Sequence, residues 1–156
     1  MSLITLKRVN LLARLAAMST TEKMKSLKIA VYSDDQSVRA AVITALGTRV
    51  AKDLPVHEIV EFATGPALRL YVDDKRQVDL FILDGEAVPE GGLGIARQLK
   101  DEVFNCPPVL AIVGRVQDNW LASWSKADDV VLHPIDPFTL AAKVADLLHN
   151  KSAVVA

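Results

Sequence analysis

Residues 78–99 read VDLFILDGEAVPEGGLGIARQL. Positions 79–83 form a nearly continuous apolar run of strand length, the pattern of a parallel strand covered on both faces, and the run stops at Asp84. A loop with Pro89 and the run Gly91-Gly92-Leu93-Gly94 follows, then a helical pattern over 93–100. Outward from this β-loop-α step, the same alternation occurs five times from Leu27 onward. The strands fall at 28–32, 57–62, 79–83, 109–113 and 129–132, and the helical patterns at 37–46, 66–72, 93–100, 117–124 and 137–148. The last helix puts Leu140, Val144, Leu147 and Leu148 on one side, with Pro137 in its first turn and Asp136 as its N-cap. Right-handed crossovers assemble these units into a doubly wound α/β domain, a five-stranded parallel sheet flanked by five helices. The third and fourth strands are expected at its centre, and the ligand site at the carboxyl ends of the strands.

The chain has 156 residues, 51% of them apolar, which suits one domain that buries roughly two thirds of its unfolded surface. Its 18 basic residues are scattered among 19 acidic ones, so there is no basic face for nucleic acid. Cys106 is the only cysteine, which excludes an intrachain disulfide and suits a reducing compartment; the expected location is the cytoplasm. No apolar run approaches the roughly 20 residues of a membrane span, and no signal-peptide pattern opens the chain. His57, His133 and His149 lack ligand-like spacing, and the glycine run at 91–94 lacks the lysine and hydroxyl of a P-loop.

Four strand ends carry informative residues: Ser33-Asp34-Asp35, Asp84, Gly114-Arg115 and His133-Pro134. Together with the stretches KIAVYSDDQSVRAAV (28–42), EFATGPAL (61–68), PPVLAIVG (107–114) and ADDVVLHPIDPFTLAAKVADLL (127–148), they make residues 27–149 resemble the receiver domain of response regulators. Asp84 lies eight residues before Gly92, the family's distance from phosphoacceptor aspartate to the glycine opening the third helix. The resemblance implies the flavodoxin-like strand order 2-1-3-4-5 and makes Asp84 the phosphoacceptor, with Mg²⁺ beside it. It implies Asp34, Asp84 and the backbone carbonyl of Glu86 as Mg²⁺ ligands.

Most of the remaining family parts are replaced. Aligned from Arg39, the acidic pair falls on Ser33 and Asp34, so one carboxylate is missing and weak Mg²⁺ binding is expected. Asp35 could supply the charge only if its side chain turned toward the pocket, where an adjacent residue usually points away. Val113 stands where the family has a hydroxyl residue, Val130 where it has the aromatic switch, and His133 where it has a lysine. Pro134 matches the proline after that lysine, which often follows a cis bond. Pro89 sits one residue late after Asp84, and the fourth crossover is about two residues short, so a short or displaced fourth helix is expected. It carries Trp120 and Trp124 on one face, either as core residues or as a partner-binding hot spot.

Residues 1–26 lie outside the repeats; Ile4, Leu11, Leu12, Leu15 and Ala16 form a loose apolar arc with Lys7 and Arg14 opposite. Two readings stay open: an extension without a fixed place, with Met18 as an alternative start, and a helix docking on a partner or on the cytoplasmic face of a membrane. Residues 150–156 are expected as a tail too short to fold, so the signal leaves through a surface. The leading expectation is an atypical single-domain regulator that binds another protein or a larger complex, with phosphorylation weak or vestigial. The alternative is a phosphorylation-competent regulator accepting phosphate on Asp84 from a histidine kinase. A remote third, an aspartate-nucleophile phosphatase built on Asp84 and Glu86, lacks its downstream lysine. Homodimerisation is a family habit that the sequence does not test.

Overall fold

The computed structural model describes residues 25–155. The N-terminal arc, its docking reading and the alternative start at Met18 lie outside the described residues. Five parallel strands, β1 (Leu27–Tyr32), β2 (His57–Phe62), β3 (Leu80–Asp84), β4 (Val109–Val113) and β5 (Asp129–Leu132), form one sheet in the order β2-β1-β3-β4-β5. The helices are α1 (Gln36–Leu46), α2 (Gly65–Asp73), α3 (Gly92–Glu102), α4 (Asn119–Ser125) and α5 (Pro137–Val155). Fold class and strand order agree with the reading of the sequence.

The sheet is central because β3 and β4 are apolar on both faces, and every residue in each of them is buried. The two-residue period of a strand sends Leu80 and Ile82 to one side and Phe81 and Leu83 to the other. The first set packs with Val42 and Leu46 of α1 and Leu140, Val144 and Leu148 of α5. The second packs with Leu68 of α2 and Ile95, Ala96 and Leu99 of α3. Each such side chain contributes on the order of 1.5–3 kcal/mol when fully buried. The predicted Asp136 cap is in place: its carboxylate accepts the Thr139 N–H at 2.8 Å and the Thr139 hydroxyl at 2.6 Å.

Most boundaries shift by only one or two residues, and three differences have structural causes. Asp79 lies before β3, not in it, because its carboxylate closes the strand's lower end, accepting the Lys28 N–H, the Gln77 amide and the Lys151 ammonium. The pattern over 117–124 splits into a 3₁₀ turn at Val116–Asp118 and the seven-residue α4, which ends at Lys126 in the left-handed region with φ 60°. This is the short fourth helix that the short crossover implies. Finally, α5 runs on to Val155, so the stretch expected as a tail is helical to that point, and Lys151 ties it to Asp79 at 2.9 Å.

His149 lies within α5 on an exposed face, and its Nε2 lies 2.8 Å from an Asp53 carboxylate oxygen. His57 opens β2 as a buried strand residue whose ring nitrogens have no hydrogen-bond partner among the described residues. Burial pushes its pKa down, with the Gly47 backbone opposing. Between the unfolded pKa of about 6.5 and the lower folded value, the unfolded chain binds the extra proton. Stability from this group is therefore complete above about pH 6.5 and is lost as the pH falls toward the folded pKa. Denaturant midpoints compared at about pH 7.5 and about pH 5.5 should fall less in His57→Leu than in the parent. Equal falls would contradict this assignment.

Candidate functional site

Parallel strands all end on one edge of the sheet, and that edge collects the polar residues singled out above. Asp84, the last residue of β3, is 2% exposed. An unpartnered carboxylate at that depth would cost several kcal/mol, so its partners decide what the site can do. Ser33, fully buried just past β1, donates its hydroxyl to Asp84 Oδ2 at 2.7 Å. The Glu86 N–H donates to Oδ1 at 3.0 Å, and His133 Nε2 lies 3.0 Å from the same oxygen. The order of the sheet makes this possible: β1 and β4 flank β3, and β5 lies beyond β4. The His133 N–H, bonded to the Val113 carbonyl at 2.9 Å, fixes where the imidazole starts.

The other acidic residues face elsewhere. Asp35 caps α1, accepting the Ser37 N–H at 2.8 Å and the Ser37 hydroxyl at 2.7 Å, and these bonds hold its carboxyl below the usual range. It therefore cannot replace the missing carboxylate. Its own N–H donates to Ser33 Oγ at 3.1 Å, so Ser33 links the start of α1 to Asp84. Asp34 accepts the Val88 N–H at 3.1 Å. Glu86, named from the resemblance for its carbonyl, turns its carboxylate to the Gly114 N–H at 3.1 Å.

This donor set fits Mg²⁺ poorly. Mg²⁺ binds through one or two carboxylates and several waters, and the two carboxylates here, Asp84 and Asp34, already accept hydrogen bonds from protein donors that compete with a cation. Among the described residues, no group of three or more His, Cys, Asp or Glu is placed to hold a metal ion. Val113 is buried and Val130 half-buried; both are hydrocarbon, so neither can bond an incoming oxyanion.

Sequence reasoning missed the girdle beneath the loop that follows β3. Tyr32 donates its hydroxyl to the Glu90 carbonyl at 2.6 Å, while Arg69 pairs with the Glu90 carboxylate and reaches Gln98 at 2.9 Å. Burial, with the negative charges of Glu90 and Asp34, pushes the Tyr32 pKa up, so the phenol keeps the proton that it donates. These partners come from distant parts of the chain, and no local pattern announces them. The bonds Val88–Pro89 and His133–Pro134 are both cis.

The core alternative for the tryptophans is overturned, since Trp120 is 67% and Trp124 48% exposed. A seven-residue helix buries only one narrow face, and Ala122 and Ser125 occupy it. Arg97 of α3 lies 5.6 Å from the Trp124 ring centroid and donates to the Trp124 carbonyl at 2.8 Å, which ties α4 to α3. Val116, Trp120, Leu132 and Phe138 add further exposed apolar area to α4, β5 and α5 or their approaches.

No protein-family model matches the chain. Two relatives from Mycobacterium tuberculosis, strains H37Rv and CDC 1551, each named an uncharacterized response regulatory protein, are 52% identical over 123 residues, 79% of this chain and 92% of each relative. A CheY-like receiver domain from Methanospirillum hungatei superposes with TM-score 0.68 at 14% identity, covering 83% of this chain and 98% of that one. The beryllofluoride-activated receiver domain of Thermotoga maritima DrrB gives 0.65 at 23% identity, covering 80% and 99%. The longer DrrB chain, described as an OmpR/PhoB homologue, gives 0.66 at 22% identity, covering 81% of this chain; this chain spans 54% of its length. At these identities the structures support the fold alone.

The Ser33 hydroxyl is the most buried of the Asp84 partners, and a hydrogen bond to a charged group contributes about 1.5–3 kcal/mol. Urea denaturation of Ser33→Ala should show a loss of about that size, while an unchanged midpoint would mean that Asp84 does not depend on it.

Proposed function

The chain belongs to the response-regulator receiver family of two-component signalling, and within it we propose an atypical regulatory module that works by binding another protein, with phosphorylation of Asp84 weak or vestigial. The observation that carries this reading is that Asp84 is already engaged on both oxygens from within the protein, by Ser33 on one and by Glu86 and His133 on the other. The valines at 113 and 130 support it, because neither offers a hydroxyl or an aromatic ring to respond to a phosphoryl group. The module is not an enzyme beyond self-phosphorylation. Mg²⁺ binding is weak, through Asp34 and Asp84, and the location is cytoplasmic. None of the helices among the described residues is long and apolar enough to cross a membrane.

The binding surface of this reading is the exposed side of α4 with Trp120 and Trp124. Tryptophan supplies large rigid area at little entropic cost, and such residues dominate binding energies. Arg97 holds Trp124 in one orientation before any partner arrives, which reduces the ordering cost of association.

A phosphodonor such as acetyl phosphate tests the chemistry. A carboxylate oxygen of Asp84 attacks phosphorus, the bond from phosphorus to the acetyl oxygen breaks, and acetate leaves with the electron pair. With Mg²⁺ present, intact-mass analysis should show slow, substoichiometric labelling of the parent. The double variant Ser33→Asp/His133→Lys, which restores the family's carboxylate and ammonium, should label at least tenfold faster. Rapid stoichiometric labelling of the parent, abolished in Asp84→Asn, would favour the phosphorylation-competent alternative instead. A histidine kinase would then be the physiological donor to seek.

Partner capture gives the second test. Asp84→Asn should retain its partner, whereas Trp120→Ala should lose it with an unchanged denaturation midpoint; the opposite pattern would contradict a binding role for α4.

A further inference from the structure

Glu86 has a side-chain role that the family resemblance does not supply. Gly114 directly follows β4, and β4 pairs with β3 on one side and β5 on the other, so its amide lies between the strand ends that carry Asp84 and His133. The residue before it, Val113, offers no side-chain donor, which leaves the Gly114 N–H as a backbone donor that β4 presents there. Glu86 Oε1 takes that donor at 3.1 Å. A Cβ built on Gly114 would meet the Glu86 Oε1 at 2.9 Å and its carboxyl carbon at 3.0 Å, so the carboxylate lies directly against the glycine. At its other end, the Glu86 N–H holds Asp84 Oδ1 at 3.0 Å. One residue thus spans the mouth from the nucleophile to the end of β4.

We propose that Glu86 is a positioning residue that closes the Asp84 pocket to phosphoryl-type anions. It occupies an amide that an entering oxyanion would use, and it adds a carboxylate to the mouth of a pocket in which Asp84 meets the single imidazole of His133. The inference rests on the reading of Asp84 given above and identifies what shuts the pocket.

Two variants open it by different routes. Glu86→Ala removes both the charge and the acceptor. Gly114→Ala keeps the charge, but its methyl group displaces the carboxylate from the amide, and Gly114 is not among the residues with positive φ. With acetyl phosphate and Mg²⁺, labelling of Asp84 should accelerate about tenfold in Glu86→Ala, the scale of one charge-assisted hydrogen bond at an exposed position. Gly114→Ala should gain severalfold. An independent readout is hydrogen exchange of the Gly114 amide, which should be faster in Glu86→Ala than in the parent because the carboxylate that holds the N–H is gone. Labelling at the parent's rate in both variants, or Gly114 exchange unchanged in Glu86→Ala, would overturn the proposal.

The outcomes separate this inference from the reading beneath it. A parent that labels rapidly defeats the reading of a vestigial site, yet leaves Glu86 to be judged by the gain in its variants. A parent and variants that are equally inert defeat the role of Glu86 and leave the vestigial site standing.

Discussion

A carboxylate buried to 2% exposure at the end of a central strand must be satisfied, and the 2.7 Å bond from the Ser33 hydroxyl to Asp84 is the contact on which the rest of the site is arranged. Asp84 cannot withdraw to solvent, because both neighbours of β3 in the sheet hold its backbone: Leu83 pairs with Tyr32 and Asp84 with Ile112. Its partners therefore come from the ends of the adjoining elements. A second carboxylate in place of Ser33 would repel Asp84 unless a cation lay between them. A hydroxyl there donates directly and needs no cation. The same serine oxygen accepts the Asp35 N–H, so the start of α1 is built on the atom that satisfies Asp84.

This arrangement suits a module whose surface is fixed in advance. A phosphoswitch requires two arrangements whose balance the phosphoryl group shifts by binding one better than the other. Hydrocarbon at 113 and 130 supplies no side chain that could answer a phosphoryl group, and Arg97 fastens α4 to α3 at Trp124. Arg97 is itself anchored by Asp101 at 2.9 Å, and Asp101 also takes Lys126 at 2.5 Å, so both ends of the fastening are held. The ion pairs are exposed and individually weak; their effect is to select an orientation for Trp124.

Much of the fold was legible because its strongest elements obey short-range rules. The unbroken apolar runs of β3 and β4 announce strands covered on both faces, and Asp136-Pro137 announces a helix start. The strand end at Asp84 was visible in the pattern, while its place as phosphoacceptor and the missing carboxylate at Ser33, aligned from Arg39, are what the receiver resemblance implies. What stayed hidden depends on geometry between distant residues. The i, i+4 spacing of Trp120 and Trp124 fixes a shared face without saying which way it points, and a helix of seven residues leaves Trp120 largely and Trp124 about half outside. The Tyr32–Glu90–Arg69 girdle joins the end of β1, the loop after β3 and α2, which lie far apart in the chain. Glu86 was read through its carbonyl, while its carboxylate crosses to Gly114, a contact that only the pairing of β3 with β4 creates.

The central claim is that Asp84 is already satisfied by the protein and that α4 does not answer to its occupancy. Tryptophan fluorescence under titration with Mg²⁺ and beryllofluoride tests it most directly, because Trp120 and Trp124, the only two tryptophans, both sit on α4. The account predicts no saturable change at concentrations that fill a working acidic pocket. A saturable change that disappears in Asp84→Asn would contradict it, for it would mean that the pocket still binds its ligands and moves the helix.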